Sequence, residues 1–133
     1  MRKYGVSFED DCKLNRLELD QEAELQPSLM QFYGEQLAEA KNVKDQASHN
    51  LNLKRAEVEL MYRRNPPADL KVTEAVIASL VETHPDVVKL SAEVIEAKSN
   101  VYVLEGGVNA VADKGSMIKV LAQIWAQGYF AAS

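Results

Sequence analysis

The sequence predicts an all-α fold, one long helix followed by a cluster of shorter helices, assembling as a helical homo-oligomer. Three observations carry this reading. Residues 28–65 contain no proline or strand signal and are bracketed by Pro27 and Pro66-Pro67. Apolar residues recur at helical rather than alternating spacing. No turn-bounded run with a period of two appears, and there is no internal repeat.

The 133 residues read as a single helical domain in three stretches: an N-terminal arm (1–26), the long helix (27–65) and a helical C-terminal part (72–127). The arm holds Gly5, an acidic cluster and Leu14, Leu17 and Leu19, and is expected to be irregular or weakly helical and to dock on a neighbour. Pro27 suits the first helical position, where a missing N–H costs nothing, and Pro66-Pro67 ends the run. At 1.5 Å per residue the long helix spans roughly 57 Å, more than a compact domain of this size needs, so part of it is expected to pack against other copies. Its heptad series is Met30, Tyr33, Leu37, Ala40, Lys44, Ala47, Leu51, Lys54, Val58 and Met61. Such a seam fits coiled-coil or bundle packing, the two lysines selecting register or oligomer state.

A second helix is predicted from about Thr73 to Glu82, with Val76, Ile77, Leu80 and Val81 on its apolar face. Pro85 restarts the chain, with Thr83 as N-cap and Asp86 in the first turn. The third helix carries Val87, Val88, Leu90, Val94, Ile95, Val101, Leu104, Val108 and Val111, with Gly106-Gly107 interrupting its pattern, either to bend it or to admit a neighbouring backbone. Gly115 is expected to end it as a left-handed cap, and Ser116 to cap a last helix through Ile118, Leu121, Ile124 and Trp125. Val101–Val103 alone would suit a strand, but no partner run lies nearby.

Composition narrows the function classes. Hydrophobic residues make up 47% and charged residues 26%, enough for a packed core in a soluble protein. The net charge of −5 disfavours generic binding to nucleic acid or anionic membrane. The charge is uneven: residues 1–40 carry four basic and nine acidic side chains, 41–71 seven and four, and 72–133 four and seven. Cys12 is alone, so no internal disulfide forms and a reducing compartment is expected. Arg2 and Lys3 are followed by Glu9-Asp10-Asp11 without an apolar run, unlike a signal peptide. The uncharged stretch from Val120 is too short to span a bilayer. The expectation is a cytoplasmic protein with no membrane partner, in the host cell cytoplasm if viral.

Catalytic chemistry finds no foothold. His49 and His84 lack a second ligand at metal spacing. No strained Ser-centred turn exists, and Gly106-Gly107 leads into Val108 rather than a Lys-Ser/Thr pair. Glu57 and Glu59 sit on different sides of a helix. The chain is expected to be no enzyme and to need no cofactor or metal. The basic constellation carries more: Lys54 and Arg55 precede Arg63 and Arg64 by about two turns, with Tyr62 beside the second pair and Lys44 upstream. Cations next to an aromatic suit phosphate contact with base stacking on single-stranded DNA. The alternatives are attraction of Arg63 and Arg64 to the helix C-terminal dipole, and, for Lys54 and Arg55, plain solvation or interhelix salt bridges with Glu57 and Glu59. Leu37, Leu51, Val58, Ile118, Leu121 and Trp125 are the candidate oligomer contacts; Phe32 and Tyr33 read as packing residues, and Tyr129 and Phe130 as part of a C-terminal contact.

From about Phe8 to Gln127 the chain resembles the phage recombination mediator family typified by UvsY. The resemblance runs through Asp10-Asp11-Cys12, the leucines at 14, 17 and 19, Leu25-Gln26-Pro27-Ser28-Leu29, Tyr33 and Lys41. It continues in the basic helix leading to Leu60-Met61-Tyr62-Arg63-Arg64. It is closest in Asp86-Val87-Val88-Lys89, Gly106 to Val111, and Lys114-Gly115-Ser116-Met117-Ile118-Lys119. The order and spacing of these motifs carry it, not any one of them.

The resemblance implies a ring-like hexamer or heptamer without catalytic residues. Such a ring binds single-stranded DNA and contacts a RecA-like recombinase and the single-strand-binding protein, in phage recombination, repair and replication. It places the DNA-contacting Lys/Arg pair near Lys54 and Arg55. A ring would repeat a weak patch and strengthen it by avidity. The acidic first forty residues suit a basic surface on a protein partner. The competing class is a helical scaffold or adaptor acting only through protein contacts, which the heptad seam fits equally well. A third is a small monomeric or dimeric inhibitor of one partner.

Overall fold

The structure, a computed structural model, describes residues 8–128. It is all-α: α1 (Phe8–Cys12), a short 3-10 helix (Arg16–Glu18), α2 (Leu19–Arg64), α3 (Glu74–Thr83) and α4 (Pro85–Ala126), with no strand among the described residues. The helices form two compact units, one from the residues up to Glu39 together with those from Tyr102 onward, the other from Ala40–Val101.

In the Ala40–Val101 unit, Leu51 and Val58 of α2, Ile77 and Val81 of α3, and Val87 and Val94 of α4 form one buried cluster, flanked by Ala47, Tyr62 and Leu90. α3 starts where Thr73, in extended conformation, accepts a hydrogen bond from the Val76 N–H through its side chain, satisfying one orphan donor of the first turn. Its buried pair Ile77 and Val81, one turn apart, belongs to the apolar face read from the sequence.

In the other unit, Tyr33 and Val111 are fully buried and packed by Phe8, Cys12, Leu29, Met30 and Val108. Phe8 stacks on Tyr33 with ring centroids 5.2 Å apart. The Tyr33 hydroxyl donates to Asp11, which ties α1 to α2; burial, then this bond, pushes the phenol pKa far up. Lys114 of α4 is almost buried, 2.7 Å from Glu22 of α2, and donates to the Asp11 carbonyl at 3.0 Å. Gln26 donates to the Val111 carbonyl at 2.7 Å. Glu22 opposite Lys114 and Gln26 opposite Val111 set α2 and α4 antiparallel within this unit.

Three boundaries differ from the sequence reading. α2 does not open at Pro27 but at Leu19, with Pro27 inside it, so residues 19–26, read as part of an irregular or weakly helical arm, belong to the long helix. Glu22, Gln26, Leu29 and Tyr33 form a stripe that docks on α1 and α4, and this tertiary gain outweighs one absent backbone bond. Ala23, whose carbonyl loses its donor, lies on the exposed side where water can replace it. α4 is one helix: Gly115 does not end it and Ser116 caps nothing, while Gly106-Gly107 lies inside it as the sequence reading had it. Gly107 faces the Phe8 ring and Gly115 the Gln26 side chain, so these glycines serve close approach rather than termination. The left-handed glycine is Gly128 (φ 74°), whose N–H meets the Trp125 carbonyl at 2.9 Å just past the helix end. Finally, Thr83 is the last residue of α3, and it is His84 Nδ1 that accepts from the Asp86 N–H at 3.2 Å in the first turn of α4.

Candidate nucleic-acid interface

The basic residues of interest lie on the C-terminal half of α2, inside the Ala40–Val101 unit. Each basic side chain from Lys44 to Arg63 has a carboxylate neighbour. Lys54 donates to Glu57 one turn on at 2.8 Å, and Glu57 raises the Lys54 pKa. Lys44 lies 3.9 Å from Asp45. Arg63 reaches Glu59 on its own helix at 2.9 Å and Glu74 of α3 through two bonds of 3.1 and 2.8 Å. That fork, first through its hydrogen bonds, raises the Arg63 pKa and lowers that of Glu74. Arg55 meets Glu82 at the other end of α3: Nη2 donates at 3.3 Å, while Nε lies 2.9 Å from the second carboxylate oxygen without hydrogen-bond alignment. Arg64 is exposed in the last turn and forms no ion pair among the described residues.

The arginines at 55 and 63 are eight residues apart, as are Glu82 and Glu74, and the two pairs fit one antiparallel register of α2 against α3. A shallow groove along this seam is lined by Asn52, Arg55, Glu59, Glu74 and Glu82. The positive excess of residues 41–71 is thereby met within the same unit: over residues 40–101 basic and acidic side chains number nine each.

The site residues read from the sequence are thus only partly brought together. Lys54, Arg55 and Arg63 lie along one segment of α2; Lys54 pairs with Glu57, but within the helix rather than between helices, and Arg55 pairs across to Glu82 instead of Glu57 or Glu59. Glu82 and Glu74 escaped the sequence reading. Their signal was the matching eight-residue spacing across a Pro-Pro turn, which only an antiparallel α2–α3 register makes visible. Tyr62 is no open stacking platform: it is half-buried against the core, edge-on to His84 with centroids 6.2 Å apart.

The candidate oligomer contacts also divide. Leu51, Val58 and Ile118 are buried in the chain's own core, at 7%, 4% and 5% exposure, which corrects their assignment to an outward seam. The heptad pattern of α2 is consumed by α3 and α4 instead. Leu37 and Leu121 are half-buried and Trp125 half-exposed. Tyr129 and Phe130 lie outside the described residues. The exposed large apolar residues of α4 include Val88, Ile95 and Tyr102, which repeat at seven-residue spacing.

Among the described residues no group of His, Cys, Asp and Glu is arranged to hold a metal ion, and no helix is long and apolar enough to cross a membrane. The fold and site define an all-α chain in which Arg55 and Arg63 of α2 are held by carboxylates of the neighbouring α3. No protein-family model matches this chain, and no curated protein or solved structure matches it significantly.

Proposed function

We propose that this chain is a non-enzymatic recombination mediator. It binds single-stranded DNA through the basic segment of α2 and helps load a RecA-like recombinase onto strands covered by single-strand-binding protein. The observation that carries the reading is the segment with half-buried Lys54 and Arg55 and exposed Arg63 and Arg64, in the part of the chain where the resemblance to the phage mediator family implies the DNA contact. Its ion pairs are solvent-exposed, and such pairs are worth about 0–1 kcal/mol each. Phosphate can displace carboxylates held that weakly, and the release of counterions from DNA favours the exchange. Homo-oligomerisation, as a hexamer or heptamer, belongs to the same proposal: each copy offers few free cations, and repetition supplies the avidity. Exposed apolar residues available for it are Val88 and Ile95 in the Ala40–Val101 unit and, in the other unit, Tyr102 and Trp125.

The test is fluorescence anisotropy of a labelled oligothymidine at two salt concentrations, with the wild type and Lys54→Ala/Arg55→Ala. Saturable binding that weakens steeply with salt and is reduced in the variant, with the assembly unchanged by sedimentation, supports the reading. Loss of assembly in the variant makes the pair structural and removes it from the interface.

A second reading has its own support. The exposed apolar residues of α4 and the neutralised arginines suit a helical adaptor that acts only through protein contacts. It is set apart by oligomers that form but ignore DNA.

A further inference from the structure

Two of the three arginines of the α2 segment, Arg55 and Arg63, already offer their guanidinium edge to a carboxylate of α3. Arg63 grips Glu74 with two nitrogens on two oxygens, and Arg55 lies across both oxygens of Glu82. Carboxylate and phosphate compete for this guanidinium edge, because each presents two acceptor oxygens at matching spacing. The two glutamates do not meet the arginines by chance encounter. α3 is anchored by Ile77 and Val81, 2% and 7% exposed, and that anchoring fixes Glu74 in its first turn and Glu82 near its last against the two arginines. A tethered competitor acts at high effective concentration. Glu74 and Glu82 remain exposed, so solvent and ligands reach the pairs from outside.

We infer that α3 is an acidic cover on the nucleic-acid-binding face: Glu74 and Glu82 occupy Arg63 and Arg55, and single-stranded nucleic acid must displace them to bind. The inference rests on the proposed reading that α2 contacts phosphate. It also accounts for a basic segment sitting in a unit with no net charge. Removing the two carboxylates releases Arg55 from its α3 partner and leaves Arg63 with Glu59 alone, without touching the apolar anchor.

The experiment compares oligothymidine binding by the wild type, Glu74→Gln/Glu82→Gln and a control, Glu93→Gln/Glu96→Gln. The control makes the same change of net charge on exposed glutamates of α4 that form no ion pair among the described residues. From the worth of two exposed ion pairs, the first variant is expected to bind about threefold to thirtyfold tighter, with a steeper salt dependence. The control is expected to change by less than about twofold, since its charges face no phosphate-binding group. Single Glu74→Gln, which leaves Arg63 with Glu59 as its one carboxylate partner, gives an intermediate gain and stands in if far-UV circular dichroism shows the double variant unfolded. Equal affinity of wild type and the Glu74/Glu82 variants overturns the inference, as does an equal gain in the control, while leaving the proposed function standing. Absence of salt-sensitive binding in all of these proteins overturns both.

Discussion

Gly106 and Gly107 are neighbours in one uninterrupted helix, and the structure gives them opposite responses to the same substitution. Replacing glycine by alanine in a helix interior gains about 1 kcal/mol of backbone propensity. At Gly106, exposed and with nothing within 4 Å of an added methyl group, that gain is expected in full. At Gly107 the methyl group would lie 2.6 Å from Phe8 Cδ1 and 2.9 Å from Cζ, and closer still to Cε1. The Phe8 ring can retreat only by leaving Tyr33, on which it stacks, a contact worth about 0.5–1.5 kcal/mol beyond its buried area. Overpacking without that retreat costs about 1–3 kcal/mol. The propensity gain is common to both variants and cancels, so Gly107→Ala is expected to be less stable than Gly106→Ala by about 1–3 kcal/mol. Urea unfolding followed by far-UV circular dichroism, with unchanged m-values, measures the difference. In a Phe8→Ala background the two alanines should become equivalent, because the colliding ring is gone. Equal stabilisation by both in the wild-type background would refute the packing of α1 on α4.

Other consequences follow from the same contacts. Lys114 and Glu22, 8% and 20% exposed, form the most buried ion pair described. Lys114→Met leaves a poorly solvated carboxylate, and a loss of about 2–3 kcal/mol is expected, between the exposed and fully buried limits. Lys114→Met/Glu22→Leu should recover part of it, and a neutral single variant by urea unfolding would contradict the assignment. Arg63 lowers the Glu74 pKa, so the pair's contribution to stability is full above the ordinary carboxyl value of 4.5 and fades as pH falls through the lowered one. The acid limb of a pH–stability curve should therefore shrink in Glu74→Gln; an unchanged limb would place the pair outside the folded state's balance. Burial, and then the Asp11 charge, raise the Cys12 thiol pKa, with Lys114 opposing. At neutral pH Cys12 should alkylate more slowly than a free cysteine, and a faster rate would contradict its packing beside Tyr33.

The sequence made the helical class legible because its signals were local: heptads and Pro-Pro punctuation. The stop of α2, the apolar face of α3, and Pro85 in the first turn of α4 all follow from such chemistry. What escaped were places where long-range contact overrides a local signal. Pro27 is an acceptable helix opener, and only the docking of Glu22 and Gln26 on α4 shows why the helix runs through it. Gly115 looks like a cap until Gln26 is seen packed over it, although the unbroken heptads from Leu104 through Val111 to Ile118 already argued for continuity. The α2 seam was legible as a seam, but periodicity does not say whether its partner is another copy or a later helix of the same chain. For the candidate site, the basic residues were visible in composition; their carboxylate partners depended on a register that composition does not contain.

The central claim is mediation, and DNA binding alone does not reach it. The most direct measurement is the lag before DNA-dependent ATP hydrolysis by the cognate RecA-like recombinase, on single strands precoated with single-strand-binding protein, with and without this chain. The expected result is a lag that shortens with added protein, and less so with Lys54→Ala/Arg55→Ala. A lag unchanged at concentrations that saturate naked single-stranded DNA would contradict the account and leave a nucleic-acid-binding or adaptor protein with another task.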